Sequence, residues 1–503
     1  MKKIYALLAI TLFFNSCNDL DLAPLDQLSE SAFYKTTEDF DGAIYGSYSS
    51  IQKFWGTSTE TLGERAEYWQ ISLTTTDDVD VDPAARFTDR DLDEQNFLSS
   101  NLTFQSIYSM IYEGILRANI VIEKVEEENE LTDAEKLQYA GEAKFLRAFL
   151  HFQALKMWGT PPLVTEVLKD LNDLAQPNAT QDALFEQILS DFSEAAGSLP
   201  ETWGDAGLGR ATAWAARSYI GKVNIWKQDW PAAITAFEDV ITNGPYQLLP
   251  NYADVFAWDN ENNAESIFEI QFGGPFSDDN HWVFDDIHSE AVKASQGHER
   301  PYYWDPRVVT GGKLGAYIPS QDLVNSYEVG DLRLANDIYQ SGDMWYGTNT
   351  QGRYTVEAYD PAWSSSSYNI KKYRGQRNVV SGNHHVNGRV DFSNERWFRF
   401  AELKLLYAEA LIEQGRPGDA AIQINDIRTR AGLGAFTGDV TVALRLEKRH
   451  ELAFEPHRWF DIVRWGIGSS VFGASWNARN ELFPFPDSEI TRSGGVLNQN
   501  TGY

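Results

Sequence analysis

The sequence predicts a mostly α-helical fold, a scaffold of tetratricopeptide-like helix pairs interrupted by a loop-rich variable insertion. Three patterns predict it: helical apolar stripes up to about residue 250, the same stripes again from 397 to 470, and a change of texture between them. From about 251 to 396 the segments shorten, aromatics crowd together, and punctuation such as Gly273-Gly274-Pro275, Gly311-Gly312 and Ser364 to Ser367 recurs. Long irregular stretches in a compact protein carry function when they are ordered. No Pro, Gly or Ser-rich linker separates independent halves, so residues 17–503 read as one interrupted domain, with scaffold at 30–250 and 397–470.

Taken in order, Leu137 to Trp158 reads as a helix that Gly159 and Pro161-Pro162 stop. A second block starts near Asp182 and ends around Leu199-Pro200, and a third covers Ala211 to Asn243, broken near Asp229-Trp230-Pro231. Pro231 suits the first turn of a helix, where its missing N–H costs nothing. This third block fits the roughly 34-residue tetratricopeptide repeat, in which small residues let two helices approach and an aromatic fills the gap. Gly221 and Ala233 take the small positions, Phe237 the aromatic one and Pro245 the terminator, while Arg217 and Asn224 stand where the repeat has Trp and Tyr. A further pair is Trp397 to Gln414 followed by Pro417 to Ala431, with Gly415 as the stop. Leu403, Leu406, Tyr407, Ala410 and Leu411 form one apolar stripe, leaving Glu402, Lys404, Glu409 and Glu413 to face elsewhere.

The first residues read as an export signal: Lys2 and Lys3, an apolar run from Ile4 to Phe14, then small and polar residues. That run is too short to span a bilayer. Cys17, the only cysteine, follows Phe14-Asn15-Ser16 in a lipobox-like setting, so cleavage after residue 16 makes it a lipidation site. Several acyl chains anchor stably where one does not. With 73 acidic and 42 basic side chains the formal charge is −31, which excludes nucleic acid as a partner because phosphate binding needs a positive face.

Motifs for chemistry are few. His450-Glu451 has no second histidine at zinc-protease spacing, Thr310 to Lys313 is no phosphate loop, and Asp259 to Ile270 lacks the glycine and final acid of a calcium loop. Asp77, Asp78, Asp80 and Asp82 could gather a structural calcium ion through carboxylate oxygens, with a solvated acidic loop as the simpler reading. His384-His385 point to opposite faces of an extended chain and do not suit one metal. No catalytic residues and no cofactor are expected.

Aromatics in the insertion are more telling. Sugar rings lay apolar C–H faces on Trp and Tyr while acids, amides and arginines bond the hydroxyls. The candidate ligand-binding residues are therefore Trp282, Tyr302, Trp304, Trp345, Tyr346 and Trp363, joined by Phe87 and Asp78 from the N-terminal part. Packing in the core is the alternative for each of these rings.

The last hundred residues carry a resemblance. The stretches Ala401 to Ala410 and Ala421 to Gly432 look like paired helices, Leu446 to Glu455 leads into Arg458 to Gly466, and the tail holds Leu482 to Ile490 and Asn498-Gln499-Asn500. With Phe145-Leu146-Arg147-Ala148 and Trp158 to Leu163 in the first half, they resemble the SusD-like (RagB/SusD) family of Bacteroidetes outer-membrane nutrient-binding lipoproteins. Asn18, Asp19 and Asp21, directly after Cys17, resemble the acidic export tag that Bacteroidetes lipoproteins use to reach the cell surface. The resemblance implies a non-catalytic, lipid-anchored protein on the extracellular side of the outer membrane, partnered by a SusC-like TonB-dependent transporter to which it delivers oligosaccharide. Peptide capture on the same scaffold and a surface glycoside hydrolase are the alternatives; a marine β-glucan such as laminarin suits the acidic composition. Arg449, Glu451, Glu455, Arg458, Asp461 and Arg464, interleaved with Leu452, Phe454, Trp459 and Phe460, read as buried structural pairs.

Overall fold

The computed structural model describes residues 33–56, 68–82, 85, 87–170, 175–257, 259–272, 300, 304, 306, 315–348, 354–373 and 393–503. Cys17, Trp282, Tyr302 and His384-His385 lie outside these residues, as do the side chains of Phe87 and Tyr346.

Helix α1 (Thr37–Gly56) is followed by α2 (Tyr68–Thr74), the short strand β1 (Val79–Val81) and α3 (Phe87–Asp93). Then come the two longest helices, α4 (Leu102–Lys124) and α5 (Asp133–Trp158). The start of α5 lies upstream of Leu137 because Thr132 and Glu135 form a reciprocal capping box, and Gly159, at φ +72°, ends it. Thr180 caps α6 (Gln181–Ser198) and Thr212 caps α7 (Ala213–Lys227). Asp229 caps α8 (Trp230–Asn243), with Pro231 in its first turn. The tetratricopeptide register holds in α7 and α8: a Cβ on Gly221 would sit 2.4 Å from the Phe237 ring, and Ala233 and Phe237 are fully buried.

Strand β2 (Ser266–Ile270) opens the middle region, followed by β3 (Tyr317–Pro319), α9 (Gln321–Ser326), α10 (Leu332–Asp337) and β4 (Ile338–Tyr339). Next are β5 (Met344–Thr348), β6 (Tyr354–Ala358), β7 (Asn369–Ile370) and β8 (Glu395–Arg399). These strands make four two-stranded antiparallel ribbons, β1 with β3, β2 with β8, β4 with β7 and β5 with β6. The C-terminal part holds α11 (Phe400–Glu413), α12 (Pro417–Arg430), α13 (Val440–Glu451), α14 (Arg458–Arg464), α15 (Gly468–Phe472) and α16 (Asp487–Arg492). No helix among the described residues is long and apolar enough to cross a membrane.

Two expectations are corrected here. Trp397 belongs to β8 rather than to a helix, because that strand pairs with β2 through Glu395, Phe398 and Arg399, and α11 starts at Phe400. Glu402, Lys404 and Glu409 do not face solvent: α11 is buried nearly all round, and partners neutralise the charges it takes inside. Lys222 reaches Glu402 at 2.8 Å, Asp426 takes Lys404 at 3.0 Å, and Arg464 clasps Glu409.

The charges of the α13–α14 region are buried pairs. Arg399 is wholly buried and spends its donors on three acids: Glu265 at 2.8 Å, Glu451 at 2.6 Å and Glu455 at 2.8 Å. Arg430 bridges the same Glu265 and Glu451, Arg333 joins Asp331, Glu447 and Glu451, and Lys372 meets Glu455 at 2.7 Å. Burial alone would raise the Glu451 carboxyl, but Arg430, Arg399 and Arg333 outweigh it and hold it at about 2.

Lys156 is a buried cation of a different kind. Its Nζ sits 4.4 Å from the Phe460 ring centre and, among the described residues, bonds only the Tyr68 hydroxyl, at 3.3 Å. Burial, reinforced by Lys222, pushes its pKa well below the usual lysine value. Because the folded pKa is depressed, folding expels a proton, and this cost grows as pH falls from about 10 toward the folded value. Lys156→Met, similar in volume and uncharged, should therefore raise the thermal midpoint at pH 7 by a few degrees, with a smaller gain at pH 10. An unchanged or lower midpoint at pH 7 would show that the buried ammonium costs the fold nothing.

Candidate functional site

The middle region folds back onto the N-terminal part along β1 and β3. Asp82 N–H donates to the Ala316 carbonyl at 2.8 Å, and Ser320 N–H and Oγ donate to the Asp78 and Asp77 carbonyls at 2.9 and 2.7 Å. Ser365 Oγ then donates to Asp82 Oδ2 at 3.0 Å, and Asn369 Nδ2 to the Trp304 carbonyl at 3.2 Å. Sequence positions around 80, 304, 320 and 365 thus share one face. Trp363 and Tyr368, on either side of Ser365, are half-buried, and Asp80 and Asp360 are exposed. Asp93 joins this acidic side: burial and then the Asp80 charge push its carboxyl up to about 7, against a hydrogen bond from the Val81 backbone.

The predicted ring platform is smaller than the sequence suggests. Trp304 is 1% exposed, edge-on to Trp69 at 6.2 Å, and presents no face to a ligand. Trp345 is 0% exposed and forms a small separate core with Tyr339 and Tyr359. Alternation along β5 turns it inward, which the sequence cannot show without the pairing of β5 with β6. Trp363 covers this small core edge-on, 5.7 Å from both Trp345 and Tyr359, and keeps part of its ring in solvent. Phe87 opens α3, and Tyr346 stands opposite Val356 in the β5–β6 ribbon.

Asp78 is corrected as well. It is 2% exposed and Arg449 Nε donates to it at 2.7 Å, while Arg458 donates to both oxygens of Asp77 at 2.8 and 2.7 Å. The calcium reading of Asp77 to Asp82 loses its ligands for this reason: two arginines already neutralise the first two acids, and Ser365 holds Asp82. Among the described residues no group of three or more His, Cys, Asp or Glu is placed to hold a metal ion.

Two clefts escaped the sequence reading. One, of about 420 Å³, lies between α1 and β2 and is lined by Tyr45, Gln52, Leu208, Arg210 and Gln271. There Arg210 pairs with the buried Glu142 and stacks 4.3 Å from the Trp203 ring. The other, of about 530 Å³, is lined by Tyr108, Tyr112, Leu116, Val164, Arg492 and Leu497 among others. Their walls come from segments far apart in the chain, so no local pattern marks them.

Half-exposed rings and exposed carboxylates on a helical scaffold suit ligand binding, and known proteins are similar over both halves of the chain. Residues 252–481 match the SusD family, and residues 30–225 match the family described as "Starch-binding associating with outer membrane". A SusD-like protein of Formosa agariphila is 26% identical across 100% of this chain and 99% of its own. Another, of Bacteroides ovatus, is 25% identical over 92% of this chain and 82% of its own. Among solved structures, a surface glycan-binding protein A from Bacteroides thetaiotaomicron in complex with laminarihexaose superposes with a TM-score of 0.76 at 21% identity, covering 93% of this chain and 100% of that one. The chain belongs to the SusD-like family, a non-catalytic family of glycan-binding proteins.

The acidic pair on the candidate face is open to direct test. Asp80→Asn removes the like charge beside Asp93, so the Asp93 carboxyl should titrate clearly below 7 when followed by NMR. A titration unmoved by the substitution would mean that the two carboxylates are not neighbours in solution.

Proposed function

We propose that this protein captures oligosaccharide or polysaccharide at the cell surface, held to the outer membrane through Cys17, and passes it to a SusC-like TonB-dependent transporter. The observation that carries the proposal is family membership across both halves of the chain, in a family one of whose two matching descriptions is starch binding at the outer membrane. The chemistry of the β1–β3 face supports it. Trp363 and Tyr368 offer part of their rings, and Asp80, Asp360 and the serines from 364 to 367 offer hydrogen-bond partners for hydroxyls. Trp282 and Tyr302 are proposed as further ligand-binding rings. The excess of acidic side chains favours neutral glycans over sulfated or uronic ones, because a charged polymer would be repelled. Laminarin is the first glycan to try, since a relative of the same fold was solved with laminarihexaose.

Affinity electrophoresis of the protein starting at Asn18, through gels containing laminarin, starch and a panel of acidic polysaccharides, tests this reading. Retardation in a neutral glycan is expected, and Trp363→Ala should weaken it by about tenfold, the loss of one stacked ring. Folded protein that no glycan retards, alone or with the transporter, would refute glycan capture.

A further inference from the structure

The cleft of about 420 Å³ between α1 and β2 is one part of a longer groove. A second cleft, of about 290 Å³, adjoins it at Leu208-Gly209-Arg210, and both are lined by those three residues and by Phe268 and Glu269 of β2. Together they offer space on the scale of small-ligand sites, about 300–1,000 Å³. Gly209 lets the chain pass against the end of β2: it sits at φ +89°, and a Cβ there would lie 2.3 Å from the Gln271 side chain. Arg210 ties a ring of each cleft to one cation, 4.3 Å from Trp203 in the second and 5.6 Å from Tyr45 in the first. Tyr45 is 49% exposed and Leu208 62%, so the groove meets solvent at an aromatic and an aliphatic edge.

The charges along this groove are already paired. Arg210 Nε donates to Glu142 at 2.8 Å, and Asp41 lies 3.4 Å from its other arm. Glu269 accepts the Asn262 N–H at 2.9 Å and Asn394 Nδ2 at 3.0 Å, with Arg396 3.6 Å away, while Glu201 meets Arg217 at 3.8 Å. The remaining polar lining both donates and accepts. Asn262 and Gln271 form a half-exposed reciprocal amide pair, 2.9 Å in each direction, and Ser49 and Tyr45 add hydroxyls from α1. A charged ligand would find no unpaired counter-charge here, whereas a neutral sugar finds an aromatic ring for its C–H face and amides and hydroxyls for its edge. We propose that the groove between α1, residues 203–212 and β2 is a second oligosaccharide site, selective for neutral glycans, with Tyr45 as its ring platform. It shares no residue with the β1–β3 face, and it rests on the reading of the protein as a glycan binder.

The test uses the chain from Asn18 in gels of laminarin, starch and acidic polysaccharides, with two groove variants placed in a Trp363→Ala background that weakens the β1–β3 face. Ser49→Trp fills the cleft from α1 and leaves its amides and charges in place; Tyr45→Ala removes the platform. Both residues are partly exposed, and the thermal midpoint verifies folding. Each variant should lower the remaining affinity for the retarding neutral glycan by about tenfold, at an unchanged midpoint. Affinity in that background untouched by Ser49→Trp overturns the groove and leaves the β1–β3 face as the site, as does loss of all binding in Trp363→Ala alone. An effect of Ser49→Trp without one of Tyr45→Ala overturns the platform role. Binding that Trp363→Ala leaves whole and the groove variants remove supports the groove and overturns the face. Wild type retarded only by acidic polysaccharides overturns the groove while glycan capture stands, and folded wild type that no glycan retards overturns both.

Discussion

The fold depends on burying Arg399. At the junction of β8 and α11 this guanidinium reaches Glu265 ahead of β2, and Glu451 and Glu455 at the end of α13. Three carboxylates cannot be taken out of water near one another unless cations come with them. Arg430 from α12, Arg333 from α10 and Lys372 from the residues after β7 supply the rest of the charge. Each cation belongs to a different element, so the network places helix pairs and middle region relative to one another. A second group does the same for the N-terminal part, where Arg449 and Arg458 hold Asp77 and Asp78.

That constraint also shapes the functional face. Drawing Asp77 and Asp78 toward α13 and α14 brings β1 beside β3, and Ser365 on Asp82 brings the Trp363 segment with them. Acids that looked like ligand or metal groups in the sequence are spent on this assembly, whereas Asp80, one residue from either end of β1, stays exposed. The face is thus a by-product of the charge pairing beneath it, and its rings differ from the ones that composition alone would select.

Much of the scaffold was legible. The break at Asp229-Trp230-Pro231, the Gly221–Phe237 contact and the stop at Gly415 are local signals that survive into the fold, whereas the caps at Thr132, Thr180 and Thr212 emerge only from the structure. The charge alternation from Arg449 to Arg464 was readable as buried pairing, because charges interleaved with Leu452, Phe454, Trp459 and Phe460 must go inside with them. The partners were not readable: Glu265, Arg399 and Arg430 are distant in sequence, and Glu402 and Glu409 stand off the apolar stripe with nothing nearby in sequence to point to Lys222 and Arg464. The aromatics failed for a related reason. Trp345, between Met344 and Tyr346, and Trp363, between Ala362 and Ser364, carry no local mark of their different fates, and the pairing of β5 with β6 puts one inside a small core and the other across its opening.

The most direct test of this account is the pH dependence of stability in Arg399→Met, which keeps most of the side-chain volume and removes the charge. If ionic pairing organises the core, the variant should lose about 3–5 kcal/mol relative to wild type at pH 7. That gap should narrow as pH falls toward 3, where the stranded acids take up protons and no longer need a cation. A gap that is absent at pH 7, or that stays constant down to pH 3, would mean that packing rather than charge holds these elements together.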